Sequence, residues 1–137
     1  MRFTFSLITA LVAGASAVTA ALPTCSPPDT AGIMLPKKNA TLTREKPFQF
    51  YFCSRTYFRA STESIDVVLS QNSTLSAGVL VKANLVTNVA SQSTYYYNLT
   101  IPQYYGPLGK AYIGVFERID GYYSPAYAVE TKLVFVK

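Results

Sequence analysis

Between Pro47 and Leu69 hydrophobic and polar positions alternate in two runs. Phe48, Phe50 and Phe52 are separated by Gln49 and Tyr51, with Cys53 following, and Ile65, Val67 and Leu69 are separated by Asp66 and Val68. A period of two places the three phenylalanines on one face of a strand and gives the second run a matching aliphatic face. Joined by a polar connection, the two runs predict the core hairpin of a β-sandwich.

The same pattern extends along the chain. Residues Leu22 to Ala31 hold Pro23, Pro27 and Pro28 and read as an extended arm. Ile33 to Leu35 predicts a short strand ended by Pro36, and Lys37 to Lys46 reads as a polar turn. In Gly78–Val86, Val79, Val81, Ala83 and Leu85 share one face, opposite Leu80, Lys82 and Asn84. Ser93–Ile101 sets Tyr95, Tyr97, Leu99 and Ile101 against Tyr96, Asn98 and Thr100. Lys110–Glu117 runs through Ala111, Ile113 and Val115, and Ala126–Val136 sets Val129, Thr131, Leu133 and Phe135 against Glu130 and Lys132. About seven short strands with turn residues between them predict an all-β antiparallel β-sandwich of immunoglobulin-like type. A small barrel is the fallback. Tryptophan is absent and the core has no second cysteine, so the likeness is to the architecture and not to the antibody domain.

Ahead of these strands, residues 1–20 have the form of a secretory signal peptide: Met1-Arg2, an apolar stretch from Phe3 to Val12, then small residues. The competing reading is an uncleaved anchor, but the stretch is short and rich in Ala, Ser and Thr. Residues 21–137 are then a single domain, long enough to bury a real core. Export fits the two cysteines, Cys25 and Cys53, for which one disulfide is the available intramolecular pairing. Two thiols with no histidine cannot build a tetrahedral metal site unaided. The formal net charge of +5 is carried by scattered lysines and arginines, with no long basic run. That balance does not argue for nucleic-acid binding.

Candidate chemistry is sparse. The chain has no histidine, so catalysis would fall to its carboxylates, and the local groupings are Glu63 with Asp66 and Glu117 with Asp120. Both pairs flank turns, where acidic residues are ordinarily solvated; nucleophile-elbow, phosphate-loop and metal-spacing motifs are absent. The expectation is no enzyme, no cofactor and no metal. The chain is instead rich in tyrosine, eleven in all. Tyrosine brings apolar area with one polar handle, which suits a binding surface, and it also populates strands by β-propensity. Arg55, Tyr57 and Arg59 in one loop and Tyr104, Tyr105, Tyr122, Tyr123 and Tyr127 in the later turns form the candidate binding surface. Asn39, Asn72 and Asn98 head three N-glycosylation sequons.

The order Ile33-Met34-Leu35-Pro36, the alternating Phe48 strand leading to Arg55–Arg59, and Ile65–Leu69 resembles the Nis1-like family of small secreted fungal effectors. Thr100-Ile101-Pro102, Gly109 before an apolar strand, and Gly121-Tyr122-Tyr123-Ser124-Pro125 are similar to that family's closing pattern. The resemblance implies a secreted, non-enzymatic protein that acts on host immune signalling, including receptor-associated kinases. A second resemblance joins Ile65–Leu69, Tyr97–Pro102 and Ala111–Val115 to the immunoglobulin-like domain of the Kre9/Knh1 cell-wall proteins, which implies a role with wall β-glucan. The expected partner is therefore a host protein or a cell-wall polysaccharide. Neither nucleic acid nor stable membrane insertion after signal cleavage is expected, and the expected location is extracellular, free or wall-associated.

Overall fold

Both alternating runs form strands, yet they do not pair with each other. The computed structural model describes residues 24–26, 30–55, 61–88, 93–121 and 126–137. Eight strands follow in order: β1 (Gly32–Leu35), β2 (Thr41–Leu42), β3 (Pro47–Cys53), β4 (Ser61–Ser70), β5 (Gly78–Leu85), β6 (Thr94–Thr100), β7 (Gly109–Asp120) and β8 (Ala126–Val136). They form a three-stranded sheet, β1-β3-β6, and a five-stranded sheet, β2-β8-β7-β4-β5. No helix occurs among the described residues. The expected signal peptide lies outside the described residues, as do Tyr57, Arg59, Tyr122 and Tyr123.

The expected hairpin is corrected by this topology. β3 lies between β1 and β6, with Phe48 opposite Leu99 and Phe52 opposite Tyr95, whereas β4 lies between β5 and β7. A hairpin would have left both apolar faces on one side of one sheet; in separate sheets they cover each other. Phe50, Phe52, Tyr95 and Leu99 from the small sheet meet Ile65, Val67, Leu69, Ile113 and Val115 from the large one in a single core. Each such side chain contributes about 1.5–3 kcal/mol by leaving water. The other face of β3 is buried as well: Tyr51 packs edge-on against Tyr96, with ring centroids 6.2 Å apart and planes at 72°. Beside it the Cys25–Cys53 disulfide forms, with Cα atoms 5.6 Å apart, and ties the N-terminal arm to β3.

The stretch Lys37–Lys46, read as a polar turn, contains β2. This strand pairs in parallel with the end of β8, Thr41 with Phe135 and Leu42 with Val136, and Leu42 is buried. One apolar residue in a two-residue strand is too little to leave a period in the sequence.

In β5 and β6 the faces are those the alternation predicts. In β8 they are reversed. Val134 and Val136 point into the core, so Lys132, Glu130 and Ala128 lie on the same inner row, while Val129, Leu133 and Phe135 face outward. The inner row is used by β1. Glu130 Oε1 accepts a hydrogen bond from the Ile33 amide at 2.8 Å, and Lys132 Nζ donates to the Ile33 carbonyl. Two side chains of one sheet thus satisfy the backbone of an edge strand in the other. Gly32 makes room for this contact: its φ is +110°, and a Cβ there would collide with the Glu130 carboxylate.

Candidate functional site

The sequence-predicted binding residues separate in space. Tyr127 begins β8 at the end of the large sheet where Ile119 and Asp120 close β7, and Arg55 follows β3 at that same end. Tyr104 stands in the β6–β7 connection at the opposite end, 73% exposed. Tyr105, its neighbour, does not belong to an exposed surface: it is 2% exposed and part of the core. Its amide bonds back to the Pro102 carbonyl at 3.0 Å, a turn that sends consecutive side chains to opposite sides. Its hydroxyl has no hydrogen-bond partner among the described residues, and burial raises its pKa.

Near Arg55 the sheets leave a cleft of about 180 Å³ lined by Phe52, Arg55, Val115, Glu117, Ala128, Val129 and Glu130. It is smaller than the several hundred Å³ usual for small-molecule sites. Strand register, and not sequence proximity, brings its two carboxylates together: Glu117 pairs with Ala128 and Glu130 with Val115. They are therefore diagonal neighbours with Cα atoms about 7–8 Å apart. Neither carboxylate grouping seen in the sequence contains this pair. Glu117 is buried and accepts a hydrogen bond from the Thr62 hydroxyl, while Glu130 holds the Ile33 amide. The Tyr95 pKa is pushed up to about 12, first by burial, then by the negative charge of Glu117 and by Tyr97, with Thr62 opposing. Among the described residues the Tyr95 hydroxyl has no hydrogen-bond partner, so burial and the Glu117 charge dominate its shift. Burial also lowers the Lys132 pKa; Glu130 opposes that shift and Lys37 adds to it. No group of three or more potential metal ligands occurs among the described residues.

A broader surface is the outer face of β7 and β8. The reversal of β8 puts Tyr127, Val129, Leu133 and Phe135 on this face, and β7 adds Tyr112 and Phe116 beside Leu133 and Val129. Tyr127 is 66% exposed and Val129 54%. Towards the β4 side the face is partly covered by the β4–β5 turn, whose Leu75 lies on Gly114 where any Cβ would collide with it. Sequence reasoning found Tyr127 alone of this set, because it assigned the Val129 row to the core.

All three sequon asparagines are exposed. Asn98 faces outward from β6, in the other sheet. Asn72 sits in the β4–β5 turn, where its Oδ1 accepts from the Thr74 hydroxyl at 2.8 Å, and Asn39 lies in the β1–β2 connection with a φ of 65°. Asn98 is remote from the β7–β8 face, whereas Asn72 belongs to the same turn that sets Leu75 on Gly114, and the Asn39 amide bonds the Leu133 carbonyl at the β8 edge. No protein-family model matches the chain, and no curated protein matches it either.

Proposed function

We propose that this chain is a secreted, glycosylated, immunoglobulin-like β-sandwich that acts by binding a host protein, without catalysis of its own. The observation that carries the reading is the pair of exposed apolar side chains Tyr127 and Val129 on the outer face of β8, beside the half-buried Phe116 of β7. Scattered exposed apolar residues are ordinary, but a contiguous patch on rigid strands marks an interaction surface. The disulfide is compatible with an oxidising, extracellular setting. Asn98 directs its sequon away from this face, so a glycan there leaves the face free. The host as partner, and receptor-associated kinases in particular, rest on the resemblance to the Nis1-like effectors. The immunoglobulin-like assignment rests on two sheets, antiparallel but for the short β2–β8 pair, that enclose one core.

The test is a titration of the secreted protein against isolated receptor-associated kinase domains and, separately, against purified fungal wall β-glucan, with Val129→Arg beside the wild type. Saturable kinase binding that Val129→Arg weakens by about tenfold or more is the expected result. Retention on β-glucan with no kinase binding replaces this reading with a cell-wall module.

A further inference from the structure

In the sequence the positive charge is diffuse, but the fold concentrates it. The Asn39 amide bonds to the Leu133 carbonyl at 2.9 Å, which lays Lys37 and Lys38 against the last third of β8. The Arg44 amide bonds to the Lys137 carbonyl at 3.0 Å, which brings Arg44 and nearby Lys46 to the end of that strand. Lys110 pairs with Phe135 across β7 and β8, and Lys137 follows two residues later on the same row. Six cationic side chains thus surround residues 133–137, and Glu45 is the one described acidic side chain at this end. Glu63, Asp66, Glu117 and Asp120 lie at or toward the opposite end of the large sheet, and Glu130 is engaged by Ile33. Such a predominantly positive corner attracts polyanions and loses that attraction as salt rises.

We propose that this corner binds an acidic polysaccharide. The cations call for a polyanion, and the aromatic groups between them select a sugar. Phe135 is 39% exposed between Lys110 and Lys137, and Tyr104 projects from the adjoining connection. A ring in that position takes the apolar face of a pyranose, while flanking ammonium groups pair with its carboxylates. Lys110 is already held 5.6 Å from the centre of the Tyr112 ring, so part of its freedom is spent before ligand arrives. The strand segment 133–137 is about 13 Å long, enough for several sugar units and suited to an extended chain. This inference goes beyond the host-protein reading: Phe135 and Tyr112 lie on the same outer face, but Phe116, Tyr127 and Val129, which carry that reading, take no part in it.

The experiment measures retention of the full secreted protein on immobilised polygalacturonate, with neutral β-glucan, phosphatidylserine vesicles and duplex DNA as comparison ligands. The variants are Lys110→Glu with Lys137→Glu, Phe135→Ala, and Val129→Arg, each checked for an unchanged circular dichroism spectrum. The expected result is salt-sensitive retention on polygalacturonate, about tenfold weaker in the double charge reversal and several-fold weaker in Phe135→Ala. Val129→Arg, which adds a cation on the same strand, does not weaken it. Equal retention of Phe135→Ala and wild type, or binding to vesicles or DNA as strong as to polygalacturonate, overturns the proposal in favour of unselective charge attraction. Because Val129→Arg tests the host-protein face and the charge reversal tests this corner, either reading fails without the other.

Discussion

Tyr95 shows how much one buried hydroxyl can govern. Fully enclosed and close to Glu117, it has a folded-state pKa of about 12 against 10.0 for the free side chain. A pKa raised on folding contributes stability that is complete below the unfolded value and is lost as pH climbs through the folded one. The protein is therefore expected to lose stability between pH 10 and about 12, and Tyr95→Phe to lose less, as read from thermal melts across that range. Tyr105 acts in the same direction. Lys132 acts in the opposite one: its pKa is lowered, so from that lowered value up to 10.5 the unfolded chain holds the extra proton and stability rises with pH. At this scale the sequence is hard to read. In the doublet Tyr104-Tyr105 composition cannot say which ring turns inward, and the turn at Pro102 decides it.

Among the elements, β3 to β7 follow their own alternation, because each carries one mainly apolar row, interrupted in β7 by Glu117, and a one-residue slip would expose it. β8 carries two competing rows, and the one with Glu130 and Lys132 looks solvated in isolation. It faces inward because the two charged groups bond the Ile33 amide and carbonyl on β1, a partner 97 and 99 residues away. Contacts that distant leave no local signal, and the hidden apolar surface on the reverse side of β8 is their consequence. Replacing Glu130 with Ala leaves the Ile33 amide without its acceptor, at a cost on the order of 1–3 kcal/mol. Amide hydrogen exchange at Ile33 should quicken in Glu130→Ala, and Glu130→Gln, which keeps an acceptor oxygen, should restore much of the protection.

For the whole molecule, the all-β class was legible from the recurrence of short alternating runs, whereas the assignment of strands to sheets was not. Periodicity gives each strand a face but no neighbour, and β3 and β4 found theirs in opposite sheets. The disulfide was legible because two cysteines allow one internal pairing. It closes a loop of 28 residues, and the chain-entropy account values that closure at about 3–4 kcal/mol. The double replacement Cys25→Ser with Cys53→Ser is expected to lower the stability read from urea unfolding by about that amount and to steepen the transition's dependence on urea, because the uncrosslinked denatured chain exposes more surface.

The clasp between β1 and β8 also decides what happens when the sandwich breathes. If the Glu130 and Lys132 contacts let go, β1 peels from β3 and uncovers a strand edge next to Phe50 and Phe52, the type of edge on which chains exchange segments or aggregate. The tether at Cys53 keeps the arm that carries β1 within a few residues of the vacated edge. Its local concentration there far exceeds that of any other molecule's strand. Opening in this protein is thus expected to reverse readily, since β1 is held near the edge from one side by the disulfide and from the other by the chain through residues 36–46, and reduction removes the first of these two tethers.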